Sequence, residues 1–384
     1  MIVFLRSIRR GGWRRNISKM PTNDGKGKSS ESSKDIKKSI EKTRSNPIDA
    51  FNGYDCFLPD QKGDVQVCII GGGEAPLYTA ALLKQSRLIK RLNLVDTTNT
   101  MAGAVLDTSH IDTSTRIKHY TKKRIKNALK QANIIALMDE SEPKGVDLNP
   151  KIQFESAASY VYEMAEQMVT VSSDALVAVF VQPVTATLPM ISEIYKLCGW
   201  WDPDRIIGST SFLRMRMEAT TASLLDLDPA FLSIPMVAGA DPYTIVPLLS
   251  RSSPINRFNH VQQEMLLQSL RGADKEIASI DGRGPILSVA AAAAKFILAL
   301  AGGLSGSPNV YTSGYVRSNV LPICRFFTTE LQLGPGGVQT NFGLPKMSPA
   351  EVVLVEQAVP IINEFVHTAI KTVFSYSYVK QKST

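Results

Sequence analysis

Disulfide and metal chemistry have little to work with in this chain. Four cysteines occur in 384 residues, Cys56, Cys68, Cys198 and Cys324, scattered with no CxxC pair and no histidine at ligand spacing. No disulfide framework and no metal site is expected; reduced, mostly buried thiols are. Long apolar runs are also lacking. A membrane helix needs ~18–20 consecutive apolar residues. The longest candidate, Val289 to Leu304, is alanine-rich, contains Lys295 and reads as a buried helix, so no membrane span is expected.

The formal charge of +8 suggests nucleic acid or an anionic surface, but its distribution excludes that reading. Residues 1–50 hold 13 Lys/Arg against 5 Asp/Glu, and the rest of the chain holds 30 of each. A neutral body lacks the broad electrostatic footprint that nucleic-acid binding requires.

Acids are absent before Asp24, while Arg6, Arg9, Arg10, Arg14, Arg15 and Lys19 alternate with Ile2, Val3, Phe4, Leu5, Ile8 and Trp13. Arg-rich, acid-poor and amphipathic is the composition of a mitochondrial transit peptide, expected over residues 1–20; the plain alternative is a disordered basic tail. Residues 21–62 are expected to be disordered linker, because 21–50 are rich in Lys, Ser, Asp and Glu and nearly free of aromatics.

The body reads as α/β. The strand Val65–Ile70 runs into Gly71-Gly72-Gly73, a helix follows from Ala75 to Ser86 with Pro76 in its first turn, and the strand Leu92–Val95 ends at Asp96. Strand, Gly-rich turn, helix and a second strand closed by an acid form the dinucleotide-binding arrangement. The turn lets backbone approach a pyrophosphate, the helix start favours an anion, and Asp96 can accept from ribose hydroxyls. Gly-rich turns of this kind also occur for packing alone. Ala132–Met138 and Ala175–Val181 are apolar runs suited to buried parallel strands, with a helix between them from Phe154 to Val171. A helix over Ser211–Leu225, strands near Leu232–Val237 and Thr244–Leu249, a helix over Val261–Ile277 and the alanine-rich helix come next. Strand-like segments around 310–317 and 322–333 precede a last helix opened by the capping box Ser348-Pro349-Ala350-Glu351. The expectation is a Rossmann doubly wound parallel sheet over 63–207, followed by a mixed α+β catalytic-type lobe over 208–378.

The sequence resembles the mitochondrial-type malate dehydrogenases over about residues 64–378. The resemblance is carried by Leu88-Ile-Lys-Arg-Leu-Asn-Leu-Val-Asp96, Leu106-Asp-Thr-Ser-His-Ile-Asp112, Gln182-Pro-Val184, Asp202-Pro-Asp-Arg-Ile-Ile-Gly208, Leu227-Asp-Pro229, Tyr243-Thr-Ile-Val-Pro-Leu-Leu-Ser250 and Lys346-Met-Ser-Pro349, in the family's order. It implies NAD as cofactor, malate and oxaloacetate as substrates, a homodimer and a mitochondrial matrix location. Gly71, Gly73, Asp96 and Gln182 are the implied cofactor contacts.

Oxidising a 2-hydroxy dicarboxylate needs a base for the hydroxyl proton, a carboxylate to orient that base, and arginines gripping the substrate carboxylates in bidentate fashion. By resemblance the catalytic His belongs at Ala240, its partner Asp at Leu213, and a substrate Arg at Arg216. The segment Glu140-Ser-Glu-Pro-Lys-Gly-Val-Asp-Leu-Asn149, which by resemblance corresponds to the family's mobile loop and should supply two more arginines, has none, and Gln182 stands for an expected Asn. His110, His119, His260 and His367 are expected to be surface or packing residues. Asp241, taken as a strand neighbour of Ala240, is expected to face the opposite side. The glycine turn is one residue short, Pro76 falls near the third glycine position, and Glu74 fills the electrostatic niche of a pyrophosphate. NAD binding is therefore expected to be weak or lost. The leading expectation is a catalytically inactive structural or binding paralogue. The alternatives are an active NAD-dependent malate dehydrogenase with an unorthodox base and a non-catalytic dinucleotide sensor.

Overall fold

In the computed structural model the described residues are 64–140, 149–254 and 258–383. The transit peptide and linker expected over 1–62 lie outside them.

Eleven strands form one sheet. β1 (Val65–Gly71), β2 (Ile89–Asp96), β3 (Arg116–Thr121), β4 (Ile134–Leu137), β5 (Leu176–Val179) and β6 (Ile206–Ser209) are parallel, in the order β3-β2-β1-β4-β5-β6. This is the doubly wound Rossmann order. β4 and β5 are buried along their whole length and read as continuous apolar runs, as parallel strands covered on both faces do. β3, Arg116-Ile-Lys-His-Tyr-Thr121, was not expected, because at a sheet edge its polar side chains can face water.

The second half adds β7 (Met236–Ala238), β8 (Ile245–Pro247), β9 (Val310–Leu321), β10 (Cys324–Gly334) and β11 (Gly337–Asn341) through antiparallel pairs. The two halves share the sheet, because β6 pairs β9 at Gly208 and Tyr315. Gly208 is required there: a Cβ would sit 2.6 Å from Val184 Cγ1 and 2.9 Å from Leu188 Cδ1.

One face is covered by α4 (Pro150–Val171), α5 (Val184–Leu197) and α9 (Pro349–Ser383), whose Phe154, Val161, Met164, Ile191, Ile362 and Val366 form one cluster with the sheet. The other face carries α1 (Glu74–Lys84) and the alanine-rich α8 (Leu287–Leu304), buried through Leu83, Phe296, Ile297 and Leu300. α8 does satisfy the length and composition of a membrane span, against the expectation from the apolar run alone, yet most of it is packed inside the body. A third cluster joins α6 (Ser211–Leu225) to α7 (His260–Asp281). The short α2 (Ala102–Ser109) and α3 (Ile125–Leu129) complete the helices named here. The capping box closes as expected: Ser348 N–H donates to Glu351 Oε2 at 2.7 Å, and the other carboxylate oxygen accepts from Ser250 N–H at 2.9 Å.

Candidate functional site

A cavity of about 590 Å³ opens at the carboxyl ends of β1, β4, β5 and β6, where Gly72, Asp139, Gln182 and Ser209 line it. This is the switch point at which open α/β sheets bind ligands. Its far wall comes from α6, α7 and the start of α8, through Phe212, Leu213, Arg271, Asp274 and Ile286.

Leu213 faces the cavity but belongs to the third core cluster beside Met217 and Leu266, with 3% of its surface exposed. Ala240 is 1% exposed, and its N–H donates to Thr185 Oγ1 at 3.0 Å. None of the four histidines lines the cavity. His119 is not a bland surface residue, because its Nε2 lies 3.2 Å from Asp96 Oδ2.

The expectation that Asp241 lies in a strand is corrected. β7 ends at Ala238, whose φ of 78° turns the chain out of the strand, and Asp241 sits in the tight turn before β8, accepting at its carbonyl from the amides of Thr244 and Ile245. Strand alternation no longer applies: the residue contributes to the cavity wall, while its carboxylate is buried toward Thr185 and Val184 at the start of α5. Asp241 is 3% exposed, and neither carboxylate oxygen has a partner in hydrogen-bond geometry. Burial pushes this carboxyl up to about 6, although the Thr185 hydroxyl and the amides of Thr185 and Val184 at the start of α5 pull it down. Asp139, half-buried at the end of β4, is pushed by desolvation to about 7 against the pull of the Gln182 amide, which donates to its Oδ1 at 3.1 Å.

Arg216 is tied up. Its Nη2 donates to Asp274 Oδ1 at 2.6 Å, its guanidinium lies 4.2 Å from the Phe212 ring centroid, and its Nη1 is buried without a partner. Arg216 does not line the cavity; Asp274 and Arg271 do.

The glycine turn is occupied by its own neighbours. Gly72 N–H donates to the Asp139 carbonyl at 2.9 Å, and a Cβ on Gly72 would meet the Glu140 carbonyl oxygen at 2.0 Å. A Cβ on Gly71 would come within 2.9 Å of the Pro76 ring. Gly73 caps α1 with φ 81°, and Glu74 in the first turn lies 3.6 Å from Arg283. Asp96, expected to face a ribose, is fully buried: Oδ1 accepts from Thr98 N–H and Oγ1–H and from Asn99 N–H, while Oδ2 accepts from Met101 N–H and faces His119. Burial alone would raise this carboxyl, but the Met101 amide, His119 and Thr98 together hold it below the usual range. Gln182 lines the cavity and precedes the cis bond to Pro183.

The N-terminal half, residues 65–208, matches the NAD-binding domain of lactate/malate dehydrogenases, and residues 232–373 match their alpha/beta C-terminal domain. The chain belongs to the lactate/malate dehydrogenase family. It is 33% identical over 301 residues to the mitochondrial malate dehydrogenase of Caenorhabditis elegans, spanning 77% of this chain and 86% of that one. Identity to the mitochondrial malate dehydrogenase of Bos taurus is 30% over 312 residues, 79% of this chain and 90% of the relative. The fold matches the crystal structure of Cryptosporidium parvum malate dehydrogenase with TM-score 0.70 at 18% identity, covering 80% of this chain and 99% of that one.

Within this family frame, Asp139, Arg271 and Asp274 escaped the sequence reading. Asp139 had a usable signal, an acid at the carboxyl end of a parallel strand, where ligands bind. Arg271 and Asp274 had none beyond their i,i+3 spacing on α7. Asp96→Asn is expected to cost about 1–2 kcal/mol at neutral pH through weakened turn hydrogen bonds. The sign follows from its depressed folded-state pKa: the contribution is present above the ordinary carboxylate range and is lost as pH falls through the folded value. Urea melts of both proteins at neutral and strongly acidic pH check it; a difference that does not shrink in acid contradicts the charge-based account.

Proposed function

We propose that this chain is a malate-dehydrogenase-family member whose hydride-transfer site has been dismantled, serving as a binding or structural paralogue. The observation that carries this is what stands at the two catalytic positions: a core leucine on the cavity wall at the orienting-carboxylate position, a buried alanine behind that wall at the base position, and no histidine lining the cavity. General acid–base assistance contributes ~10²–10⁴ in rate, and the bidentate clamp is absent besides.

The cofactor is part of the proposal. A pyrophosphate needs free amides and positive potential at the glycine turn. Here Gly72 N–H is spent on Asp139, Glu74 stands at the helix start, and the cavity mouth adds Asp139 and Glu140. A ribose would have to displace the partners that already saturate Asp96. These residues do not fit NAD. One observation favours the active-enzyme reading: Asp241, with its carboxyl raised to about 6, sits nearer the range of a working base than an ordinary aspartate. Its carboxylate oxygens are buried beside the Thr185 hydroxyl, out of the cavity's reach, and the segment from Glu140 to Asn149 holds no arginine.

The test is NADH consumption with oxaloacetate at high protein concentration, together with thermal unfolding in NADH. A flat trace and an unchanged Tm are expected. Ordinary turnover refutes the proposal. A flat trace with stabilisation near 2.7 kcal/mol, as from a ligand at ~100-fold its Kd, replaces the scaffold with a dinucleotide sensor.

A mitochondrial location and a homodimer belong to the same proposal. They are supported by the mitochondrial relatives and the basic, acid-free residues 1–20. A reporter carrying residues 1–20 that stays in the cytosol, or a monomeric mass by light scattering, would remove these parts.

A further inference from the structure

The body of the chain is balanced in charge, but not evenly. Between Thr113 and Met138 there is no acid, and residues 116–130 hold seven Lys/Arg. One of them, Lys122, is spent on Glu140 and Glu163, at 3.2 and 2.9 Å. The other six, Arg116, Lys118, Lys123, Arg124, Lys126 and Lys130, are exposed, and among the described residues none of them makes an ion pair. A balanced total excludes a broad basic footprint. It does not exclude a local one.

The fold gathers these cations on one rim. β3 is the outermost strand at its end of the sheet, and Arg116 and Lys118 share a face of it by strand alternation. Lys118 stands in register with Asn93, whose side-chain amide donates to the Ala128 carbonyl at 2.7 Å, so α3 lies over that same face. α3 buries Ile125, Ala128 and Leu129 in the core, which leaves Lys126 and Lys130 outward, and the turn over 122–124 presents Lys123 and Arg124. Arg91 of β2, in register with Arg116, donates to Gln66 rather than to an acid.

Like charges held together without counter-charges repel, and a polyanion relieves that repulsion. We propose that the β3–α3 rim docks on an anionic phospholipid bilayer, with its lysines and arginines against the lipid headgroups and no side chain inserted. Clusters of four to eight Lys/Arg are the kind that a negatively charged leaflet attracts. A planar headgroup layer needs no pocket, which suits long, unfixed Lys side chains. A protein partner is disfavoured, because interface centres are apolar and poor in Lys, and among the described residues no large apolar side chain is exposed between Leu106 and Ile152. Nucleic acid is disfavoured for two reasons. Single strands need exposed aromatic rings to stack on, and reading a groove needs a helix free to enter it, whereas α3 is five residues long and half buried. The rim lies outside the cavity, so the inference stands apart from the proposed loss of catalysis.

The experiment is vesicle co-sedimentation of the full chain, with phosphatidylcholine vesicles containing roughly one-third phosphatidylserine and vesicles of phosphatidylcholine alone as control. Because residues 1–50 are themselves basic, every measurement is repeated in a background with Arg6, Arg9, Arg10, Arg14 and Arg15 changed to Gln. Binding to the anionic vesicles is expected at about 0.05 M salt and loss of it at about 0.5 M, where screening shortens the reach of charge. Lys123→Gln, Arg124→Gln and Lys126→Gln together should weaken binding at least about tenfold in both backgrounds. Lys123→Arg, Arg124→Lys and Lys126→Arg together should leave it unchanged. These side chains are exposed, and circular dichroism follows the fold of each variant; the salt and lipid series is read on the unmodified rim. The inference is overturned by no binding at low salt in the leader-neutralised background, by binding that survives high salt, or by a well-folded triple Gln variant that binds unchanged. Tighter binding to duplex DNA than to the vesicles at matched phosphate overturns it in favour of nucleic acid.

Discussion

Leu213→Asp combined with Ala240→His is expected to leave oxaloacetate reduction at least roughly thousandfold below the ~10 per second typical of enzymes. The pair supplies the missing acid–base couple on paper. It does not supply the grip: Arg216 remains bound to Asp274, and the segment from Glu140 to Asn149 contains no arginine. Each charged hydrogen bond to a substrate carboxylate contributes about 1.5–3 kcal/mol, so two absent arginines remove roughly 4–5 kcal/mol, close to three decades in rate. The new aspartate would also be buried in the cluster that Leu213 shares with Met217 and Leu266, so folding is followed in parallel by circular dichroism. Adding Asp274→Asn should release Arg216 and raise kcat/KM. Near-ordinary turnover by the double variant alone would show that other groups hold the substrate.

The second large effect is on stability. Asp241→Asn is expected to stabilise the protein by about 3 kcal/mol near pH 8 and by less than about 1 kcal/mol near pH 4. The carboxyl moves from its ordinary 3.8 to about 6 in the folded state. A folded-state pKa raised for an acid means that the charged form destabilises the fold. The cost is absent below the unfolded value, grows through the interval between the two values, and is complete above about 6. Removing the charge while keeping the shape recovers that cost, worth several degrees in Tm. Asn also keeps a side chain able to face the Thr185 hydroxyl, so little packing is lost. Thermal or urea unfolding of both proteins across this pH range is the measurement. Equal stability near pH 8 would mean that the Thr185 hydroxyl and the amides of Thr185 and Val184 fully offset the burial of the charge.

Much of the architecture was legible because buried parallel strands and amphipathic helices write themselves into apolar patterning. β1, β4 and β5 are apolar runs, and α6 spans Ser211–Leu225, the range its sequence suggested. β3 was not legible, since an edge strand need not be apolar. The site was partly legible. The proposed losses at Ala240 and Leu213 rest on the family resemblance that assigns those positions, together with residue identity, because neither a methyl nor an isobutyl group can take a proton. The place of Asp241 in a turn did not follow, because the chain leaves the strand at Ala238, which no alternation rule describes. The fate of Asp96 was hidden for a similar reason: whether a carboxylate meets a ligand or its own following turn is decided by the placement of Thr98, Asn99, Met101 and His119. The pairing of Arg216 with Asp274 crosses from α6 to α7 and left no local trace.

The most direct test of the central claim follows the hydride itself. The protein, at concentrations comparable to its ligands, is incubated with oxaloacetate and NADH deuterated at the transferable position, and malate is analysed by mass spectrometry. No deuterated malate above a protein-free control is the result predicted here. Deuterated malate formed in amounts matching or exceeding the protein would show that this cavity still moves a hydride, with Asp241 or another group acting as its proton donor.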